Sequence, residues 1–422
     1  MSSVLTEQLP EGGIMDRVIL HCDCNNFFAS VETVFNPSLR NVPMAVCGDP
    51  EDRHGIVLAK NELAKEKGIK TADTVYSAKR KCPGLVICPP RYEAYYKYSK
   101  KVNAVYADYT DMIEPFGIDE SWLDVTASRK LFGDGRTIAD TIRKRIREEI
   151  GLTVSVGVSF NKVFAKLGSD YKKPDATTVI DRSNYREIVF PLPVGDMLYV
   201  GAKTQRELSS LGINTIGALA ACDESFLCAK FGKGGSMMYR YANGLDDSPV
   251  TKPDEREDAK SVGSGLTFKH NLTDPEECRV GLLHLSEDVA ARLRRSQVKC
   301  STVQLTVKDE YLRTIQRQRR LSRESDIARE ISEVAFGILC DEWPAGKPIR
   351  ALTVTAFDLV RSELVSYQLD FFEQDNEEQR NKSKKREETI DKIRQKYGAS
   401  SIMSASIVDT DIGIHAPKSK KN

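Results

Sequence analysis

Asp23, Asp119 and Glu120 are the residues whose types and placement point to chemistry. Asp23 closes an apolar run in "ILHCDCNNFFASVE", residues 19 to 32, and the other two stand side by side in "FGIDESWLDV". Each stretch has an ordinary reading. Asp and Asn at a strand end bond their own backbone in turns, and an acidic pair at a hairpin tip is commonly just hydrated. Together they imply more. Both segments read as strands of one domain, and a hairpin beside the first strand brings Asp119 and Glu120 next to Asp23. Three carboxylates at one end of a sheet repel one another unless a cation neutralises them. Mg²⁺ suits such a site because it takes one or two carboxylates together with water and substrate phosphates. Two such ions about 3.5–4 Å apart form the arrangement for in-line displacement at phosphorus. One activates the attacking hydroxyl, and the other holds the triphosphate and leaving group.

The elements that must position these acids follow from periodicity. "RVILHCD", "VPMAVCG" and "GLVICPP" read as strands, and "YEAYYKYSKKVNAVYADYT" as an amphipathic helix. "MIEPFGIDESWLDVT" reads as a hairpin, "GRTIADTIRKRIREEIG" as its helix partner, and "LTVSVGVS" as a strictly alternating strand. Strands alternating with helices around one hairpin predict an α+β domain with a ferredoxin-like core. From about 183 to 248 the pattern turns helical, and "VGAKTQRELSSLGINTIGALA" reads as helix, tight Gly turn, helix. The polar stretch "DDSPVTKPDEREDAK" reads as a linker. A third unit, about 259 to 364, has the order strand, helix, strand, strand, helix, strand and is again α+β. The last 50 residues are polar and basic, with one possible helix in "KKREETIDKIRQKYG".

Bulk properties bound the answer. A chain of 422 residues is too long for one ordinary core, which predicts two to four domains. Hydrophobic content of 40% and charged content of 29% fit a soluble globular protein. No apolar run is long enough for a transmembrane helix, and "MSSVLTEQLPEGG" does not read as a signal peptide. The ten cysteines contain no CxxC. Cys22 and Cys24 point to one face of their strand and His21 to the other. The cysteines read as reduced core residues of a cytoplasmic protein. Net charge is only +1, but between Arg292 and Arg320 nine basic residues face two acidic ones, Asp309 and Glu310. That local excess suggests a polyanion-binding surface.

The blocks "HCDCNNFFASVE", "FGIDESWLDV", "SVGVSFNKVFAKLGSDYKKPD" and "VGAKTQRELSSLGI" resemble, in order and spacing, those of Y-family translesion DNA polymerases of the DNA polymerase IV and UmuC type. The likeness covers roughly residues 16 to 365. It implies a palm of residues 16–26 and 91–182, fingers of 27–90 and a helix-hairpin-helix thumb of 183–248. A linker of 249–258 and a little finger of 259–364 follow. It implies two Mg²⁺ ions held by Asp23, Asp119, Glu120 and the backbone carbonyl of Cys24. Phe28 falls at the family's steric gate, where a ring stands against a ribose 2′-hydroxyl, with Phe27 packing inward. Lys173 matches the lysine that contacts the triphosphate. The expected partners are primer-template DNA and dNTPs, and the expected state is a monomer with no membrane association.

This chain departs from the family pattern in three places. Glu62 and Lys65 stand where many members carry a Tyr and an Arg for the triphosphate, so Lys65 and the neighbouring Asn61 or Lys60 are expected to share that work. Gly117 replaces the serine before the acidic pair. Tyr199-Val200-Gly201 replaces a Gly-x-Gly hairpin and leaves Gly201 for the tight turn. Gly201, Lys203 and Thr204 are expected to offer backbone N–H groups to a DNA phosphate. Lys308, Arg313, Arg317, Arg319 and Arg320 of the little finger are expected to contact phosphates without reading sequence. Gln368, Leu369, Asp370, Phe371 and Phe372 resemble the peptide with which bacterial polymerases dock on the sliding clamp. The basic segment beyond is read as a tail, disordered or in nonspecific contact with DNA. Two other readings compete. A nucleotide cyclase can share the palm and two metals but needs neither the thumb nor a basic third unit. A non-catalytic DNA-binding scaffold should lack a carboxylate or the gate ring, and all four are present.

Overall fold

The computed structural model describes residues 16–49, 55–255, 258–364, 374–398, 401–408 and 410–414. The chain divides into two compact units, with the division after residue 256. In the first, five strands form a sheet: β1 (Ile19–Cys24), β5 (Ile113–Pro115), β6 (Glu120–Asp124), β7 (Val154–Ser159) and β8 (Thr177–Ile180). Their spatial order is β5-β6-β1-β7-β8, with β1 antiparallel to both neighbours. Without β8, this is the ferredoxin-like order that the sequence predicts.

β1 is central and sandwiched. Leu20, Cys22 and Cys24 pack into a core with Tyr95, Tyr106, Ile138 and Ile142. Ile19, His21 and Asp23 take the opposite face, as the period of two requires, and Ile19 packs there with Trp122 and Ala165. The helix Lys162–Tyr171 covers that second face, started by Asn161, whose side chain accepts from the Phe164 N–H at 2.8 Å. It lies backbone-close to the sheet. A Cβ on Gly157 would stand 1.8 Å from the Ala165 carbonyl oxygen, so only glycine allows this approach. The close seat is what lets polar side chains of this helix reach the end of β1.

A smaller sheet, with β2 (Met44–Cys47) between β3 (Val57–Lys60) and β4 (Val86–Cys88), carries short helices and its own core. Helices between Tyr185 and Ala242 pack around a further core of Phe164, Leu208, Ile216 and Leu227.

The second unit holds β9 (Ser261–Leu272), β10 (Val298–Lys308), β11 (Thr314–Ser325) and β12 (Ile349–Arg361), in the order β11-β10-β12-β9. Helices Pro275–Arg295 and Ala328–Glu342 pack on one face. The segment read as a tail is different in the structure. Helix Gln374–Tyr397 docks on this unit, and Ile407, Ile412 and Ile414 join its core. Arg294 binds Glu387 at 2.5 Å and Asp391 at 2.7 Å, and the Glu387 carboxylate accepts from the Ala328 N–H at 3.1 Å. Residues 374–398, 401–408 and 410–414 are therefore part of the fold.

Candidate active site

Asp23 and Glu120 are cross-strand partners in the β1–β6 register. Asp119 is tied to the same place, because its carbonyl accepts from the Cys24 N–H at 3.0 Å. The sheet thus brings Asp23 together with the adjacent pair Asp119 and Glu120, almost a hundred positions further along the sequence. Their electrostatics register the crowding. Burial, reinforced by the charges of Asp23 and Glu120, pushes the Asp119 carboxyl up to about 6. Glu120 goes the other way. Burial alone would raise it, but the His21 ring against it and the bond from Lys166 bring it down to about 2.

Two lysines of the helix Lys162–Tyr171 and its C-terminal loop neutralise part of this charge. Lys166 bonds Glu120 Oε2 at 2.6 Å. Lys173 bonds Asp23 Oδ2 at 2.7 Å and Asp170 at 2.7 Å. Burial alone would lower the Lys173 ammonium pKa, but the charges of Asp23 and Asp170 hold it above the ordinary lysine value. Asn25 anchors the loop: its Oδ1 accepts from the Asp175 N–H at 2.9 Å while its Nδ2 bonds Ser155 at 2.8 Å. Among the described residues no three His, Cys, Asp or Glu side chains converge on one point as they stand. Asp23 and Glu120 each give an oxygen to a lysine instead. The other oxygen of Glu120, Oε1, and Asp119 Oδ1 both lie 3.4 Å from where a Gly117 Cβ would stand. Beside that glycine two acidic oxygens border one space, a donor set that suits a hard cation.

Phe28 stacks on Tyr95 with ring centroids 4.2 Å apart and 12° between planes, and Tyr92 meets it edge-on. Tyr95 is fully buried, and its hydroxyl donates to Glu32 at 2.7 Å. Phe27 is buried beside it. The Cys24 thiol is buried too, and burial drives its pKa well upward, which disfavours a thiolate ligand.

A family model described as the impB/mucB/samB family matches residues 22–170, and one for that family's C-terminal domain matches residues 259–371. A relative named DNA polymerase IV, from Acetivibrio thermocellus, is 48% identical over 388 residues, covering 92% of this chain and 96% of the relative. DNA polymerase IV 1 of Bacillus subtilis is 36% identical over 386 residues, covering 90% and 91%. The chain belongs to this family. The likeness to Y-family DNA polymerases read from the motifs is thereby borne out. The fold agrees, since the Y-family DNA polymerase chimera Dbh-Dpo4(243-245)-Dbh superposes with a TM-score of 0.71 at 23% identity, covering 81% of this chain and 99% of that one.

Within the family frame, several expectations need correction. Asn61 is not available to a triphosphate. Its Oδ1 accepts from the Ala64 and Met44 N–H groups, and its Nδ2 bonds the Val42 carbonyl at 2.8 Å, so it caps the helix Glu62–Glu66. Lys65 is exposed and paired at 3.6 Å with Glu62, which also accepts from Asn26 at 2.9 Å. Gly201 is not the residue that makes the thumb turn tight. Its φ is −77°, an ordinary value, whereas Tyr199 has φ +67°. A non-glycine residue there costs roughly 1–2 kcal/mol, and the Tyr199 ring is exposed. The helix Ala202–Ser210, which carries Lys203 and Thr204, begins without a side-chain cap.

The basic strand also divides. Ile315 and Leu321 pack into the core, and Arg317 and Arg319 share their side of β11. They bond Glu342 at 2.9 Å and Asp341 at 2.6 Å on the covering helix. The face turned away from the helices carries Arg320, Lys308, Gln304, Gln316 and Gln318. Arg313 lies exposed in the turn before β11. Gln368, Leu369, Asp370, Phe371 and Phe372 lie outside the described residues. Sequence reasoning missed Lys166 and His21. Both had a signal: His21 shares a strand face with Asp23, and Lys166 precedes Lys173 by two helical turns.

Proposed function

We infer that this chain is a DNA-directed DNA polymerase of the translesion type. It joins a primer 3′-hydroxyl to the α-phosphate of a templated dNTP and releases pyrophosphate. The observation that carries this is the β1–β6 end, where Asp23, Asp119 and Glu120 meet under Lys173, in a chain so fully matched by relatives named DNA polymerase IV. Asp23, Asp119, Glu120 and the Cys24 carbonyl would hold two Mg²⁺ ions. Bound ions supply activation of the hydroxyl and neutralise charge on the phosphates. Lys173, already at the rim of the acids, adds a cation that can share the triphosphate charge as it builds. Phe28, backed by the fixed Tyr95 ring, presents a rigid apolar wall to the sugar and disfavours a 2′-hydroxyl.

Duplex DNA would be gripped by the uncapped amides of the helix Ala202–Ser210 and by the polar face of the β9–β12 sheet. We also propose that the Gln368–Phe372 peptide, a few residues beyond β12, docks on a sliding clamp. The ten cysteines are unpaired, which supports a cytoplasmic setting, and we take the protein to act as a monomer. Among the described residues no helix is long and apolar enough to cross a membrane.

The deciding experiment is primer extension on a primed template with Mg²⁺ and each dNTP, with the Asp119→Ala/Glu120→Ala double variant alongside. Templated addition should vanish in the variant. Extension that survives the double substitution rejects the site.

A further inference from the structure

Glu120 is held from behind. Its Oε2 takes the Lys166 ammonium at 2.6 Å and faces His21 Nε2 at 3.3 Å. The His21 side of this clamp is fixed. The ring is fully buried, edge-on to Trp122, and its Nδ1 lies 2.8 Å from Ser169 Oγ. A neutral His21 that turns Nε2–H to Glu120 accepts at Nδ1 from the Ser169 hydroxyl, and Ser169 Oγ also lies 2.8 Å from the Lys166 carbonyl. The contacts close a ring: Lys166 side chain to Glu120, Glu120 to His21, His21 to Ser169, and Ser169 back to the Lys166 backbone.

Lys162 and Lys173, the neighbouring lysines of this segment, are engaged elsewhere. Lys162 bonds Glu114 at 2.7 and 2.8 Å and lies over the Trp122 ring, and Lys173 holds Asp23. The clamp acts on one oxygen only. Oε1 is turned toward Gly117, on the side it shares with Asp119 Oδ1.

We infer that Lys166, seated by His21 and Ser169, is a positioning residue that fixes the Glu120 carboxylate so that Oε1 alone is offered to a bound cation. The inference rests on the reading of Asp23, Asp119 and Glu120 as cation ligands. A carboxylate's terminal torsion is soft, so an unclamped Glu120 can rotate and bind an ion through either or both oxygens. Partners behind a metal ligand prevent this, and small misplacements at a reacting centre cost large factors in rate. The Lys166 charge has a second effect of opposite sign. An ammonium beside a ligand repels a cation, so removing it lets the ion bind at least as tightly. Loss of the clamp should therefore separate rate from metal affinity.

The test uses the full chain with Lys166→Met, which keeps the stem and removes the charge, and with Lys166→Arg. Single-nucleotide extension is measured across a Mg²⁺ titration. Mn²⁺ binding is read by electron paramagnetic resonance on the complex with a non-extendable primer and dNTP, and DNA affinity and melting are followed in parallel. Lys166→Met is expected to lower kcat about 10–100-fold, with DNA affinity and melting close to wild type and Mn²⁺ bound as tightly or more so. Lys166→Arg should recover part of the rate, and Ser169→Ala should lose a smaller part. Wild-type kcat in Lys166→Met at saturating Mg²⁺ overturns the inference. So does a parallel fall in kcat, Mn²⁺ affinity and melting, the mark of a merely structural prop. Glu120→Gln separates the two levels: if it keeps Mn²⁺ binding and extension, the ligand reading fails and the positioning role fails with it.

Discussion

At the scale of single residues, the site is built on opposed pKa shifts. Asp119 and Glu120 are neighbours in sequence, yet burial and the adjacent acids push Asp119 up to about 6, while His21 and Lys166 beside Glu120 bring that group down to about 2. Asp119 is left to bear the excess negative charge. Its folded value lies above the ordinary 3.8, so its ionised form is penalised by folding. Without divalent ions, the protein should lose stability from this group as pH rises through about 6, and regain it as pH falls toward 4. The shift corresponds to at most about 3 kcal/mol, and partial exposure reduces that to about 1–2 kcal/mol. In EDTA at pH 8, Asp119→Asn should melt a few degrees above wild type, with the gap closing near pH 4.5. Mg²⁺ should stabilise wild type and not the variant. Thermal melts across pH, with and without Mg²⁺, check this, and a variant that melts lower at pH 8 would contradict the charge assignment. The acids were legible in the sequence because each ends or flanks an alternating strand. Their lysine partners were harder to see, since a lysine on an amphipathic helix looks the same whether it meets solvent or a carboxylate.

At the scale of elements, period-two geometry decides what composition leaves open. The basic excess between Arg292 and Arg320 was visible, but a count of charges does not say which side of a strand each one takes. Alternation separates Arg317 and Arg319, bonded to the helix Ala328–Glu342, from Lys308 and Arg320 on the other face. The same geometry gives a salt experiment. If the face away from the helices lies against DNA, Lys308→Ala and Arg320→Ala should each weaken binding and reduce the slope of log K against log salt by about 1. Arg317→Ala and Arg319→Ala should leave the slope nearly unchanged, because their charge is already compensated by Glu342 and Asp341. Titrating a primed duplex across a salt series distinguishes the pairs, and equal slopes for all four variants would put DNA on the wrong face. The thumb turn carries the same lesson in reverse. A glycine in the motif draws the eye to Gly201, while the backbone places the left-handed residue at Tyr199, which no composition rule would have chosen.

At the scale of the whole molecule, the C-terminal segment shows where sequence reading reaches its limit. The helix Gln374–Tyr397 has almost no apolar stripe, and the side it docks carries Arg380, Glu387, Asp391 and Arg394. Their partners Glu330, Arg294 and Glu287 lie dozens of residues earlier, so no local period reveals the match. What reads as a solvated basic tail is a seam of ion pairs, closed beyond it by Ile407, Ile412 and Ile414. Two consequences follow from burial. Arg294 is only about a tenth exposed and has both Glu387 and Asp391 as partners, and a buried charge stripped of its partners costs about 3–5 kcal/mol. The Ala328 N–H, at the start of the helix Ala328–Glu342, would lose the carboxylate that bonds it. Truncation after residue 373 should therefore destabilise the second unit by several kcal/mol and speed amide exchange in the helix Pro275–Arg295. Glu387→Gln, which keeps an acceptor for Ala328 but loses the charge facing Arg294, should fall between wild type and the truncation. A detachable tail predicts the opposite, an unchanged melt and unchanged exchange with only DNA affinity reduced. Melting and exchange measured together on the same truncation separate the two.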